Sequence, residues 1–320
     1  MNAFIHNSLF YGLQKPEPSD EEMTSKQSQS TFEPSQETSL GPGLYIVATP
    51  IGNAADITLR ALNILARADI VACEDTRVTG KLMHLHGVKA NLSAYHEHNA
   101  PRVRPELIKR LNNGETVALV SDAGTPLISD PGFKLVQACQ DADIPVTPVP
   151  GASAVLSALV VSGLPTNRFL FAGFLPSKKT ARRQSLEELS LIPATLVLME
   201  SPRRFAAMLA DAATVMGSRS CVIARELTKM HEEIRRGTID ELAAHYKDAE
   251  PPKGEGMIVI GPPSEDSALS DENLSNKIRE ALATKSLRDA VRDVVEATGV
   301  SKKIVYGRAL ELDQDGSAKE

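Results

Sequence analysis

From Leu44 onward, short apolar runs alternate with helical periods. "LYIVA" (44–48) is followed by a helix on Leu59, Leu62 and Leu65, then by "DIVAC" (69–73) and "TVALV" (116–120). A helix on Phe133, Val136 and Cys139 comes next, then "PVTPV" (145–149) and a small-residue helix from Gly151. Strands alternating with helices predict a parallel sheet wound on both faces.

After "SGLPTNRF" (162–169) a second α/β unit begins, with strands at "FLFAGF", "ATLVLM", "CVIAR" and "GMIVIG". "CVIAR" and "EEIRRGT" lie too close together for a helical crossover, so part of this second sheet is expected to be antiparallel. A polar linker, "GPPSEDSALSDEN" (261–273), precedes "LRDAVRDVVEATGVSKKIVYGRALEL". That stretch reads as a helix, a turn at Thr298-Gly299-Val300 and a second helix from Ser301, a helix-turn-helix pattern. A plain helical hairpin fits the same residues. The boundaries expected are an N-terminal α/β unit at 44–164, a second at 165–262 and the helix-turn-helix at 273–313.

Composition adds a tail and a compartment. Residues 1–43 are rich in Ser, Gln, Glu, Pro and Thr and poor in apolar side chains, which predicts a disordered tail. The rest, in a chain of 320 residues that is 42% hydrophobic, can bury a large core and fill about two domains. The longest nearly polar-free run, "ASAVLSALVV", is far short of a membrane span, and no basic-then-apolar leader opens the chain, so a cytoplasmic protein is expected. Cys73, Cys139 and Cys221 lie far apart in apolar stretches, as reduced core thiols do.

The net charge of −6 speaks weakly against a nucleic-acid partner, but much of it sits in the tail. In the near-neutral remainder, basic clusters stand out at Lys178, Lys179, Arg182 and Arg183, at Arg203-Arg204, at Arg235-Arg236, and at Lys302-Lys303 with Arg308. Each alone reads as a solvated face; together they raise the case for a polyanionic partner.

"LVSDAGTPLISDPG" (119–132) starts as a buried strand and breaks into aspartates, glycines and prolines. In open α/β sheets, ligands sit beyond the carboxyl ends of strands. Here Gly124 allows close backbone approach, Pro126 stiffens the exit, and Asp130-Pro131 reads as the cap and first turn of the next helix. "TPIGN" (49–53), "CEDTR" (73–77) and "VPGAS" (149–153) end three other strands in the same manner. One such loop is an ordinary turn; four at one sheet edge point to a ligand. G-x-G-x-x-G and G-x-x-x-x-G-K-[ST] are both missing, which disfavours dinucleotides and nucleoside triphosphates and leaves room for a cationic cofactor.

"YIVATPIGNAADITLRALNIL", "ADIVACEDTR", "HEHN", "LVSDAGTPLISDPG", "VPGASA" and "GFLPSKK" together resemble the tetrapyrrole-methylase superfamily. More narrowly, they resemble its bacterial branch that 2′-O-methylates a cytidine of small-subunit (16S) ribosomal RNA. The resemblance runs from about Leu44 to Gly261 and extends to the terminal helices. It implies a two-subdomain α/β fold of non-Rossmann type with a C-terminal helix-turn-helix. It also implies S-adenosyl-L-methionine in the cleft between the subdomains, and a homodimer. Carried over residue by residue, the cofactor loop is Ser121, Asp122, Ala123, Gly124 and Thr125. Gly151, Ala152, Ser153 and Ala154 flank the adenosine and methionine portion, and Met199 ends the adenine-side strand. Members acting on tetrapyrroles usually open with G-x-G-P-G; here the site reads "TPIGN" with Gly52 its single glycine, which favours the RNA branch.

A sulfonium methyl is already activated, so the enzyme's main task is to hold an oxygen in line with it in a dry site. A ribose hydroxyl also gains from a base that takes its proton. Candidates are Glu74 and Asp75 at a strand's carboxyl end, and His96, Glu97 and His98 in "YHEHN". Glu74 and Asp75 serve equally well as a helix cap or as partners of Arg77, and the histidines as a plain surface loop. No metal is expected, because methyl transfer needs no Lewis acid and His-Glu-His lacks a fourth ligand. Lys178, Lys179, Arg182, Arg183, Arg203 and Arg204 are expected to grip phosphates of the RNA, whether naked or within the 30S subunit. With aromatics at 4% and no tryptophan, base stacking is not expected to dominate. Two other readings stay open: a superfamily methyltransferase acting on a small molecule such as a tetrapyrrole, and a ligand-sensing DNA-binding regulator.

Overall fold

The computed structural model describes residues 40–263, 271–298, 300 and 302–317. The tail expectation therefore falls outside the described residues except at 40–43, and Gly43 already opens the first strand. Five strands form the first sheet: β1 (Gly43–Val47), β2 (Ile70–Cys73), β3 (Leu92–Ala94), β4 (Thr116–Val120) and β5 (Val146–Val149), in the order β3-β2-β4-β1-β5. All four pairings are parallel, so every strand's carboxyl end lies at the same edge.

The apolar runs are continuous because both faces are covered. Alternate residues of β2 and β4 go to opposite sides. Val71, Cys73, Ala118 and Val120 pack under α1 (Leu59–Arg67) and α2 (Thr76–Leu85). Ile70, Ala72, Val117 and Leu119 pack under α3 (Ala100–Asn112) and α4 (Phe133–Asp141). Of the residues expected to face inward from α4, Cys139 is buried but Phe133 is largely exposed, and Leu135 takes its place.

The second sheet contains β6 (Phe169–Phe174), β7 (Thr195–Glu200), β8 (Ser220–Arg225), β9 (Glu233–Thr238) and β10 (Gly256–Ile260), in the order β6-β7-β10-β8-β9. β6 and β7 are parallel and the other pairs antiparallel, as the short β8–β9 connection requires. One face packs on α6 (Lys179–Ser190), α7 (Phe205–Met216) and α8 (Ile239–Lys247), around the fully buried Phe205.

The other face is covered by α5 (Ala154–Ser162), the helix that leads out of the first sheet. Its sequence, "AVLSALVVS", is apolar all round, and while Val155, Ala158 and Leu159 pack on the sheet, Leu156 and Val160 stay exposed on the opposite side. Ser153 caps it, its hydroxyl accepting from the Leu156 N–H. Ile51 from the β1 loop and Leu227 from the β8–β9 loop join the same core, so one apolar cluster ties the two units together.

Three helices, α9 (Asp271–Leu282), α10 (Leu287–Thr298) and α11 (Lys302–Ser317), enclose their own small core of Leu274, Ile278, Val291, Val294 and Val305. The expected linker thus ends earlier than its sequence suggests, since 271–273 are already helical. Gly299 and Ser301, the expected turn and helix start, lie outside the described residues. Among the described residues, no helix is long and apolar enough to cross a membrane. Each free cysteine is buried in a different apolar cluster: Cys73 on one face of the first sheet, Cys139 on the other, Cys221 under the second sheet.

Candidate functional site

The loops at the carboxyl edge of the first sheet are stitched to one another. Thr49 and Gly124 exchange two backbone hydrogen bonds of 2.9 and 3.0 Å, and the Thr49 hydroxyl donates to the Ser121 carbonyl at 3.0 Å. The Asp75 N–H donates to Asp122 Oδ1 at 3.1 Å, joining the β2 and β4 loops. Thr125 Oγ1 donates to the Ala152 carbonyl, joining those of β4 and β5. Gly124 sits at φ +81°, a conformation glycine adopts without strain.

Between these loops and the second sheet lies a cavity of about 400 Å³. Asp122, Ala123, Gly124, Thr125, Ser153, Ala154 and Met199 line it, along with Ile51, Val155, Leu227 and Met257. Ser121 and Gly52 line a smaller adjoining pocket instead. Gly52 is also a packing glycine: a Cβ there would collide with Lys229 Cγ and fall 2.9 Å from the Leu227 carbonyl. Gly151 and Ala152 line neither pocket; a Cβ on Gly151 would fall 2.9 Å from that of Ala48.

The second subdomain contributes carboxylates that the sequence did not single out: Glu200, Glu226 and Glu255. Glu200 is buried at the end of β7. Its Oε1 accepts from the Ser201 N–H, and its Oε2 lies 3.2 Å from the Arg204 guanidinium without a hydrogen bond. Burial pushes this carboxyl up. Lys229 bridges Glu226 and Glu255 at 3.0 and 3.1 Å. Four non-glycine residues in these loops, Leu127, Ser129, Glu226 and Thr228, have φ between 52° and 73°. Such strained backbone clusters at functional sites, and no residue type announces it in advance.

Asp130 corrects the sequence reading. The helix begins at Phe133 behind Gly132 with no side-chain cap, because positive φ at Ser129 and Gly132 swings the chain around first. Asp130 instead lines the cavity. Burial lifts its carboxyl, a Ser121 hydrogen bond opposes this, and the charges of Glu74 and Asp122 lift it further, to about 6.

Of the five base candidates, none lines the cavity. Glu74 stands behind it, raised by burial and then by Asp122, with His96 opposing. Asp75 caps α2 and is paired with Arg77 at 2.6 Å; hydrogen bonds from the Arg77 side chain and backbone pull it down to about 2. A carboxyl that acidic is a poor proton acceptor near neutrality. His96 closes a turn in which its N–H donates to Asn99 Oδ1, while Glu97 and His98 point to solvent. This loop follows β3, a three-residue strand too short for the sequence to announce, so a fifth loop joins the edge. Among the described residues, no group of three His, Cys, Asp or Glu side chains is placed to hold a metal ion.

The basic clusters divide. Lys178, Lys179 and Arg203 are exposed. Arg182 is 5% exposed, and its guanidinium is spent on Asp211 at 2.6 and 2.9 Å, so helical spacing has turned it inward and away from any phosphate. Arg183 shares Asp211 at 2.7 Å from the rim. Arg204 donates to the Leu175 carbonyl, Arg235 is paired with Glu233, and Arg236 donates to carbonyls at the end of α5.

The cavity therefore combines an apolar wall with several carboxylates and a buried carboxylate oxygen, Glu200 Oε2, that has no hydrogen bond. That donor set fits an organic cation bearing hydroxyl groups. The family described as Tetrapyrrole (Corrin/Porphyrin) Methylases matches residues 43–243, and the RsmI C-terminal HTH domain matches 268–313. Ribosomal RNA small subunit methyltransferase I of Mesorhizobium japonicum is 50% identical over 274 residues, 85% of this chain and 93% of that protein. Its namesake in Erythrobacter litoralis is 50% identical over 273 residues, covering 85% and 96%. The crystal structure of a cobalamin biosynthetic enzyme, cobalt precorrin-4 methyltransferase, shares the fold with a TM-score of 0.52 at 20% identity, covering 68% of this chain and 94% of that one. The chain belongs to the tetrapyrrole methylases and, within them, to the ribosomal RNA small subunit methyltransferase I family.

Proposed function

We propose that this protein transfers a methyl group from S-adenosyl-L-methionine to the 2′-hydroxyl of a cytidine in small-subunit (16S) ribosomal RNA, in the cytoplasm. Methylation of ribosomal RNA follows from family membership; the cytidine, the 2′-oxygen and the 16S molecule rest on the motif resemblance. The observation that supports the reading most is the cavity between the subdomains, apolar on one wall and carboxylate-rich on the other.

Ile51, Val155, Met199 and Met257 would hold the adenosine, Glu200 its hydroxyls, and Asp122 and Glu226 the cationic portion. When bound, the donor supplies a methyl carbon already activated by its sulfonium. The chain then has three tasks: to exclude water, to align the ribose oxygen, and to take its proton. We assign the last to Asp130. It borders the cavity, and a carboxyl held at about 6 is mostly ionised at neutral pH yet basic enough to share a proton.

Labelled-methyl transfer to naked 16S RNA, 30S subunits and duplex DNA, followed by nuclease digestion, tests the reading. The expected product is 2′-O-methylcytidine; label on a base, on DNA or on nothing overturns it. The exposed Lys178 and Lys179 are the phosphate contacts, and replacing both with glutamate is expected to weaken RNA binding several-fold and flatten its salt dependence. Titration calorimetry with the methyl donor should read the same as for the wild type. Equal RNA affinity at low salt would move the phosphate track elsewhere. The terminal helices provide a second foothold through Lys302, which is exposed.

The homodimer implied by the resemblance has a surface available. Leu156 and Val160 stand one turn apart on the outer face of α5, the latter 71% exposed. Light scattering of a Val160→Glu variant is expected to show the monomer's mass where the wild type shows twice that. An unchanged mass would place the dimer contact elsewhere.

A further inference from the structure

Most of the cavity's apolar wall is buried: Ile51, Val155, Leu227 and Met257 are each less than a tenth exposed. Two large apolar lining residues differ. Phe174 is 59% exposed and Ile128 is 43% exposed, and they come from different subdomains, the end of β6 and the loop after β4. The two segments meet. β6 shifts register between Phe171 and Gly173, Gly173 takes φ +65°, and a Cβ on it would lie 3.6 Å from Ser129 Oγ. Phe174 and Ile128, the neighbours of those two residues, thus stand at one end of the cleft, half in solvent. Among the described residues, Phe174 is the single aromatic ring in the lining.

A cavity of about 400 Å³ has room on the scale of small molecules, and no duplex or stacked strand enters it. A ribose that reaches the cavity must arrive with its nucleotide taken out of the stack, and its base needs a new surface on which to lie. Lys178 and Lys179 follow Phe174 by four and five residues, both exposed, so positive charge flanks the ring on the outer surface. We propose that Phe174 and Ile128 clamp the base of the extruded acceptor nucleotide at the mouth of the cleft, Phe174 by stacking, with Lys178 and Lys179 on the adjoining phosphates. The inference rests on the RNA-methylating reading and names how that substrate is held. It assigns the ring to the RNA and leaves the buried wall to the methyl donor's adenine.

The chain has no tryptophan, so Phe174→Trp introduces a single indole. Its emission is expected to be quenched by 16S RNA or 30S subunits and left unchanged by the methyl donor alone. Phe174→Ala is expected to lower kcat/KM for RNA roughly 5- to 150-fold, the usual range for losing one stacked base, with donor affinity unchanged. Phe174→Tyr, which keeps a ring, should retain most of the activity. Because the side chain is mostly in solvent, folding should survive these changes, and circular dichroism checks that. Quenching by the donor alone, or a loss of donor affinity in Phe174→Ala, would reassign the ring to the cofactor and overturn the clamp. So would wild-type kinetics in Phe174→Ala. Failure of the wild-type protein to methylate any RNA would instead strike the functional reading, which separates the two.

Discussion

Asp130→Asn is expected to reduce kcat by about 10²–10⁴-fold, the range a positioned base contributes, while donor binding stays intact. The same substitution should stabilise the protein, in a pH window that can be stated. The folded carboxyl titrates at about 6 against an ordinary 3.8, because burial outweighs the Ser121 hydrogen bond and Glu74 and Asp122 add like charge. Below the lower value both states are protonated and the group contributes nothing. Between the two values the unfolded chain has lost the proton that the folded chain keeps, so stability falls as pH rises. Above about 6 the full penalty is present. The wild type should therefore gain thermal stability when moved from pH 8 to pH 4.5 through this group. Asp130→Asn, nearly isosteric and uncharged, should lack that gain and melt higher than the wild type at pH 8. In the wild type, kcat should rise through about pH 6 and level off above it, a limb absent from the variant. An Asn variant with wild-type turnover would remove Asp130 from the chemistry.

Asp211→Ala is expected to cost roughly 3–5 kcal/mol, a large part of a domain's net stability. The Asp211 carboxylate, on α7, accepts three N–H groups from two arginines at the start of α6, and its side chain is 4% exposed. Burial pushes its carboxyl up, but the hydrogen bonds and charges of Arg183 and Arg182 outweigh this and hold it below the ordinary range. Without it, the Arg182 guanidinium is left buried with the Ser177 carbonyl as its remaining partner. Arg183→Ala should cost far less, about 1 kcal/mol, since that side chain reaches solvent. Urea unfolding followed by circular dichroism would rank the two; equal losses would mean that the rim arginine carries the pair. The ranking also bears on RNA binding. A glutamate at 182 would unfold the subdomain and mimic a lost contact, so phosphate recognition has to be probed at Lys178 and Lys179.

Where the chain's local pattern and its tertiary environment agree, the sequence was readable. β2 and β4 are buried on both faces, so their apolar runs stand out, and the loop after β4 carries several of the residues that line the cavity. The sequence misled where tertiary geometry overrode a local signal. Asp130-Pro131 has the composition of a helix start, yet positive φ at Ser129 and Gly132 delays the helix and leaves the carboxyl in the cleft. Lys178 through Arg183 is one basic run in sequence, but helical spacing from Lys179 onward points Arg182, with Leu186, into the core. β10 enters between β7 and β8, an order no local pattern encodes, and this brings Gly256 and Met257 to the cavity. Glu200 and Glu226 gave no cue because a carboxylate at a strand end is common and what distinguishes these is burial and backbone strain.

The three thiols, each in a different apolar cluster, turn the protein into its own recorder of partial opening. Burial pushes Cys139 up to about 11 and Cys221 up to about 12 and raises Cys73 as well, so none offers a thiolate to an alkylating reagent while its layer stays shut. Brief pulses of iodoacetamide read by mass spectrometry would then show, peptide by peptide, which of these three sheet faces loosens first, with no label added beforehand.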